Sequence, residues 1–159
     1  MKTIKKITAV LALLAVLFTS CSDTKKTNEA FKTVKIELAD GNTVNYKLGT
    51  TGTLSFDDWK GYNTINSELY EIERMDLVAT TAKIEEMQAS IANLGNTIPA
   101  WLRTEEVLED IDDVQEEYQK LLKEKNEPVK NVKQNLEELI EKFDDLREEL
   151  NETIDKYKK

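Results

Sequence analysis

The last 31 residues carry the pattern that most limits how this chain can fold. Val129, Leu136, Phe143, Leu150 and Tyr157 occupy one heptad position, and Val132, Leu139, Leu146 and Thr153 occupy the other. Eight of these nine are apolar, and their spacing alternates between three and four residues, a period that only an α-helix gathers onto one side. A helix over 129–157 therefore carries a continuous apolar seam that must be covered. Ile140 and Ile154 widen the stripe beyond two positions per heptad, which suits packing against two neighbouring helices rather than one.

The neighbours are legible upstream. Thr104 is an N-cap, with Glu105 and Glu106 in the first turn where carboxylates complement the helix dipole. Val107, Ile111, Val114, Tyr118 and Leu121 follow at helical spacing, giving a second helix that ends near Lys125. Asn126-Glu127-Pro128 interrupts it, and Pro128 fits the first position of the third helix. Further upstream, Ser55 with Asp58 three residues later reads as a helix start. Tyr62, Ile65, Leu69, Ile72 and Met75 recur at helical spacing, and Leu77, Ile84, Met87, Ile91 and Leu94 continue after a phase shift. Gly61 weakens the first turns, and Gly95-Asn96 supplies the stop. Asn96 to Arg103, containing Pro99 and Trp101, is a corner. The expected fold is mainly α, with a three-helix antiparallel bundle or coiled coil over 55–159. At 1.5 Å per residue, helices of about 30 residues make a rod about 45 Å long. A dimeric or trimeric coiled coil through the C-terminal helix, and thus a homo-oligomer, is the alternative.

Residues 31–54 read as a small β-hairpin and linker. Val34, Ile36 and Leu38 alternate with Lys35 and Glu37, and Val44, Tyr46 and Leu48 alternate with Asn45 and Lys47, the period of a strand with one buried face. A two-residue Asp40-Gly41 turn would set apolar positions against polar ones. A three-residue loop, Ala39-Asp40-Gly41 with Gly41 left-handed, sets Ile36 opposite Val44 and Val34 opposite Tyr46. Gly49-Thr50-Thr51-Gly52-Thr53 reads as a linker. An isolated hairpin is marginal in water, so its apolar face should rest on the helices.

Catalytic chemistry is poorly provided for. The chain has no histidine and one cysteine, Cys21, which removes histidine-based triads, thiolate zinc sites and internal disulfides from consideration. No phosphate-binding glycine loop or dinucleotide fingerprint occurs. Ser22-Asp23-Thr24-Lys25 matches the Ser-x-x-Lys acyl-transfer spacing but lies in a polar stretch with nothing to form a pocket. Glu109, Asp112, Asp113 and Glu116 share a helix face that could attract calcium weakly, yet the calcium-loop glycine is missing and Ile111 and Val114 keep the helical period. That run reads as a solvated face. No enzyme activity, cofactor, catalytic residue or metal site is expected. Trp59 and Trp101 read first as core plugs, and Trp101, beside Pro99 in the corner, is the better candidate for a partner anchor.

The N-terminus is a separate unit. Lys2, Lys5 and Lys6 precede an apolar run from Ile7 to Phe18, and Phe18-Thr19-Ser20-Cys21 closes it. The run is too short to span a bilayer, which takes about 20 apolar residues, and it has the length of a signal-peptide core. Phe18 to Cys21 resembles the lipobox of the bacterial lipoprotein class, departing from it in having phenylalanine where leucine is usual. That resemblance implies a signal peptide over 1–20, cleavage before Cys21, a diacylglycerol thioether on Cys21 and commonly acylation, such as palmitate, of its amino group. Two or more chains give a stable membrane anchor. A signal cut elsewhere, leaving a free thiol, and an uncleaved anchor are the competing readings. Ser22, rather than aspartate, after the cysteine implies outer-membrane sorting by the same resemblance. Residues 21–30 form a flexible polar tether.

Cleavage before Cys21 removes three lysines and no acids, leaving 139 residues with 19 bases against 31 acids. Such a body repels nucleic acid and anionic headgroups. The chain ends in Tyr157-Lys158-Lys159, which over those residues resembles the murein lipoproteins that join outer membrane to peptidoglycan through a terminal lysine; the resemblance implies Lys159 as the linked residue. The expectation is a lipid-anchored, non-enzymatic cell-envelope protein that binds a protein or peptidoglycan partner or spaces envelope components. Alternatives are a peptidoglycan tether through Lys159 and a periplasmic chaperone.

Overall fold

The computed structural model describes residues 30–72 and 83–158. They form a mainly helical body with a small antiparallel sheet on its N-terminal side. Strands β1 (Lys32–Glu37) and β2 (Thr43–Leu48) pair with Ile36 opposite Val44 and Val34 opposite Tyr46, the register that the apolar alternation predicts. Leu38 donates its N–H to the Asn42 carbonyl across a three-residue loop, and Gly41 takes φ +82°. Asp40 fastens the loop by accepting from the Asn42 backbone and side chain.

The segment expected to be a linker instead turns the chain back onto β2. Gly49 N–H bonds to the Thr53 carbonyl, Gly52 takes φ +89°, and Leu54–Ser55 adds β3 to the sheet in the order β1-β2-β3. Ser55 therefore ends a strand and does not start a helix. Helix α1 (Lys60–Ile72) begins five residues later and buries Tyr62, Ile65, Leu69 and Ile72.

A second correction concerns the single long helix expected to run to Leu94. Lys83 pairs with Glu68 at 2.5 Å and with Glu71 at 2.8 Å. On a continuous helix, residues fifteen apart would stand about 22 Å from each other. The chain has thus reversed: a helical turn at 83–86 and α2 (Gln88–Ala92) lie antiparallel on α1. A β-carbon on Gly61 would lie 3.5 Å from the Ser90 carbonyl and 3.7 Å from Thr97 Oγ1, and buried Trp59 donates its indole N–H to the Leu94 carbonyl at 3.1 Å. Met75 and Leu77, expected in the helix, lie outside the described residues.

After a 3₁₀ turn at Ala100–Leu102, α3 (Glu105–Glu124) and α4 (Val129–Tyr157) form an antiparallel pair. Thr104 caps α3 by accepting the Val107 N–H at 3.2 Å. Asp113 with Lys142, Lys120 with Glu138, and Asn135 with Glu124 step in opposite directions along the two helices. The described body thus has four helices, not three. Val129, expected to open the seam, is 66% exposed, while the seam from Val132 to Ile154 is buried. Asn135 is buried beside it and satisfied by Glu124 Oε2 at 2.7 Å.

One apolar core runs from Ile36 and Tyr46 in the sheet through all four helices. Its densest part is aromatic. Phe56 lies against Tyr46, Trp59, Tyr62 and Trp101, and Tyr62 stacks on both Trp59 and Phe143, at 5.0 and 5.4 Å between centroids. The sheet's apolar face rests there, which answers how so small a sheet is held.

Candidate functional site

Cys21 and Lys159, the lipidation and murein-link candidates, lie outside the described residues. Trp101 sits in the 3₁₀ turn, half-buried, edge-on to Phe56 and to Tyr157. Its carbonyl accepts the Tyr157 hydroxyl at 2.8 Å. The ring therefore closes the corner and ties down the end of α4, with its exposed part available to a partner. Lys158 completes this closure: it pairs with Asp155 at 2.7 Å and its ammonium lies 6.0 Å from the Tyr46 ring.

The acidic run on α3 is partly used within the fold. Asp113 pairs with Lys142, whereas Glu109, Asp112 and Glu116 face solvent. Asp110 is held above the usual carboxylate range by burial first, then by the charges of Asp145, Glu149 and Asp113. Among the described residues no group of three or more acidic, histidine or cysteine side chains could hold a metal ion. No described helix is long and apolar enough to cross a membrane.

A groove of about 900 Å³ lies between the β2–β3 turn, α1 and α4. Sequence reasoning did not find it. One wall is the turn from Thr50 to Ser55. The second is a face of α1 in which Tyr62 and Asn63, Asn66 and Ser67, and Tyr70 recur at intervals of three and four. The third is Arg147 and Asn151, one turn apart on α4, and Phe31 stands at the mouth.

Each wall is braced. Asn63 accepts the Phe56 N–H at 3.0 Å and donates to the Phe56 carbonyl at 2.6 Å. Arg147 donates Nε to Asn66 Oδ1 at 2.8 Å, pairs through Nη1 with Asp144, and lies over the Phe143 ring with its carbon 4.8 Å from the centroid. Asn151 donates to the Arg147 carbonyl at 2.8 Å. A guanidinium suits this position because its planar fork makes two directed bonds while stacking on an aromatic face.

Tyr62 is the exception to this satisfied network. It is fully buried, and its hydroxyl has no hydrogen-bond partner among the described residues. Burial raises its pKa well above that of an ordinary phenol, and the nearby Arg147 charge acts in the opposite direction. A buried hydroxyl without a partner is uncommon in folded proteins. Two signals for the groove were present in the sequence: the amide and hydroxyl residues interleaved with the apolar face of α1, and the only arginine in a helix whose other bases are lysines. Their meeting depends on pairs 81 residues apart. Comparison with protein-family models, with curated proteins and with solved structures finds no match to this chain.

Proposed function

We propose that this chain is a lipid-anchored, non-enzymatic protein of a bacterial cell envelope, held at the outer membrane through Cys21, whose folded body engages a partner. The observation that carries this reading is the position of the only cysteine, at the end of a basic and then apolar leader with a lipobox-like Phe18-Thr19-Ser20-Cys21. A side-chain excess of acids over bases in the body supports a partner other than nucleic acid or anionic lipid. The seam of α4 is covered by the chain's own α3 and core, so a coiled coil between copies would have to displace α3. That favours a monomeric body. The acylation test is metabolic labelling with an alkyne fatty acid in a bacterial host, followed by membrane fractionation. Label and membrane association are expected in the native chain and lost in Cys21→Ala. Release of an unlabelled chain cut at another site would overturn the reading.

The peptidoglycan tether through Lys159 is a second reading. It is favoured by the docking of Tyr157 and Lys158 against the corner and the sheet, which would give a murein link at Lys159 a rigid point of attachment one residue away. Removing Lys159 and probing murein-bound protein separates it from the first. A chaperone is less well supported: among the described residues only Phe31, Tyr70 and Val129 are large apolar side chains with high exposure.

A further inference from the structure

The groove beside α1 has a composition that selects a ligand. Two of the three exposed large apolar side chains among the described residues, Phe31 at 44% and Tyr70 at 53%, line this same groove although they are far apart in sequence. Aromatic rings on a wet surface are suited to ligands with one apolar face and a polar edge. Between them the walls are amides and hydroxyls. After the bonds among the described residues, Asn66 has its Nδ2 left over and Asn151 its Oδ1, while the Arg147 guanidinium also stands by the Tyr62 hydroxyl. The lining thus offers both donors and acceptors.

Charge narrows the choice. Among the described residues Arg147 is the only charged one in the lining, and Asp144 already compensates it. An anionic ligand would meet no unpaired cation and an acidic body, and a cationic one would meet no carboxylate in the walls. A purely apolar ligand would strand the amides and hydroxyls without partners. What fits is an uncharged molecule whose hydroxyls donate and accept and whose ring faces are apolar. A volume of about 900 Å³ lies within the usual range for small-ligand sites and exceeds a single sugar ring.

We propose that this groove binds an uncharged saccharide of two or three rings, with Tyr70 and Phe31 against the sugar faces and Asn66, Asn151 and Arg147 bonding its hydroxyls. The proposal specifies the partner class for the binding role proposed above and is independent of the anchor. Loss of acylation would leave it standing, and loss of sugar binding would leave the anchor standing.

The test is calorimetric titration of the full chain, in a detergent without a sugar headgroup, with triacetylchitotriose, maltotriose and, as the charged probe, a galacturonic acid trisaccharide. Saturable binding of at least one uncharged trisaccharide is expected, weakened about tenfold by Tyr70→Ala, which removes an exposed ring. Asn151→Ala serves as a second variant if Tyr70→Ala does not fold. Failure of both uncharged sugars to bind at about 10 mM overturns the proposal. Preference for the charged probe overturns it too, as does binding that is indifferent to both Tyr70→Ala and Asn151→Ala.

Discussion

Asn63 reaches back seven residues to hold both backbone groups of Phe56, accepting at 3.0 Å and donating at 2.6 Å. Phe56 lies between β3 and α1, where neither a sheet ladder nor a helix supplies its N–H with a partner. The same residue carries the aromatic contacts that seat the sheet on the helices, so the amide fixes the ring as well as the backbone. Asn63→Ala should cost about 1–3 kcal/mol, the penalty for a buried donor left unpaired. Asn63→Asp should recover only part of this, since a carboxylate accepts the N–H but repels the Phe56 carbonyl. Urea unfolding of the three proteins at neutral pH measures both. A loss below about 0.5 kcal/mol in the alanine variant, the size of an ordinary surface change, would show that Asn63 braces nothing.

At the scale of elements, the two turns of the sheet repeat one design. Leu38 bonds to Asn42 with Gly41 left-handed, and Gly49 bonds to Thr53 with Gly52 left-handed, each loop having its glycine third. A β-carbon on Gly52 would meet nothing within 4 Å, so Gly52→Ala strains only the backbone. It should cost about 1–2 kcal/mol from the left-handed φ alone, read as a lowered urea midpoint; an unchanged midpoint would mean the turn relaxes freely. This repeat shows what was legible and what was not. The glycine spacing that set the register of β1 on β2 recurs eleven residues later, and applied again it gives β3. Only two residues follow the second glycine turn in strand form, too few for alternation to show. Thr104, the α3 apolar positions and the α4 seam were legible because each is a local or periodic signal. The reversal between α1 and α2 was not, because helical period survives on both sides of it and a period carries no direction. Only the phase shift in the apolar pattern between Met75 and Leu77 broke that period. The groove was hidden for a related reason: Asn66 and Ser67 lie some 80 residues from Arg147, and only tertiary pairing brings them together.

For the molecule as a whole, the ion pairs and the buried phenols make one joint statement about pH. Lys83 is held charged by hydrogen bonds that it donates to Glu68 and Glu71, Lys120 by those to Glu138 and Glu117, Lys142 by those to Asp113 and Asp145, and Lys158 by that to Asp155, and all four have raised pKa values. Several of these pairs join different helices. Tyr118, whose hydroxyl donates to the Ile84 carbonyl at 2.6 Å, is pushed up to about 12 by burial and then by the Glu85 charge, and burial raises Tyr62 as well. Every one of these groups holds its proton more tightly folded than unfolded. Below about pH 10 both states keep the proton and the stabilisation is fully present; above it the unfolded chain sheds protons first, and stability falls as pH rises toward 12. On the acid side the contributions oppose one another, since Asp40, Glu106 and Glu138 have lowered pKa values and Asp110 a raised one. The pH profile should therefore be asymmetric, shallow on the acid side and steep on the alkaline side. Urea midpoints at pH 5, 8, 10 and 11 measure this. Tyr118→Phe keeps the ring but gives up one hydrogen bond, so it should lower stability at pH 8 by about 1 kcal/mol while making the decline above pH 10 shallower. If that decline is as steep in the variant as in the native chain, Tyr118 does not link α3 to the alkaline transition, and Tyr62 and the lysine pairs must account for it.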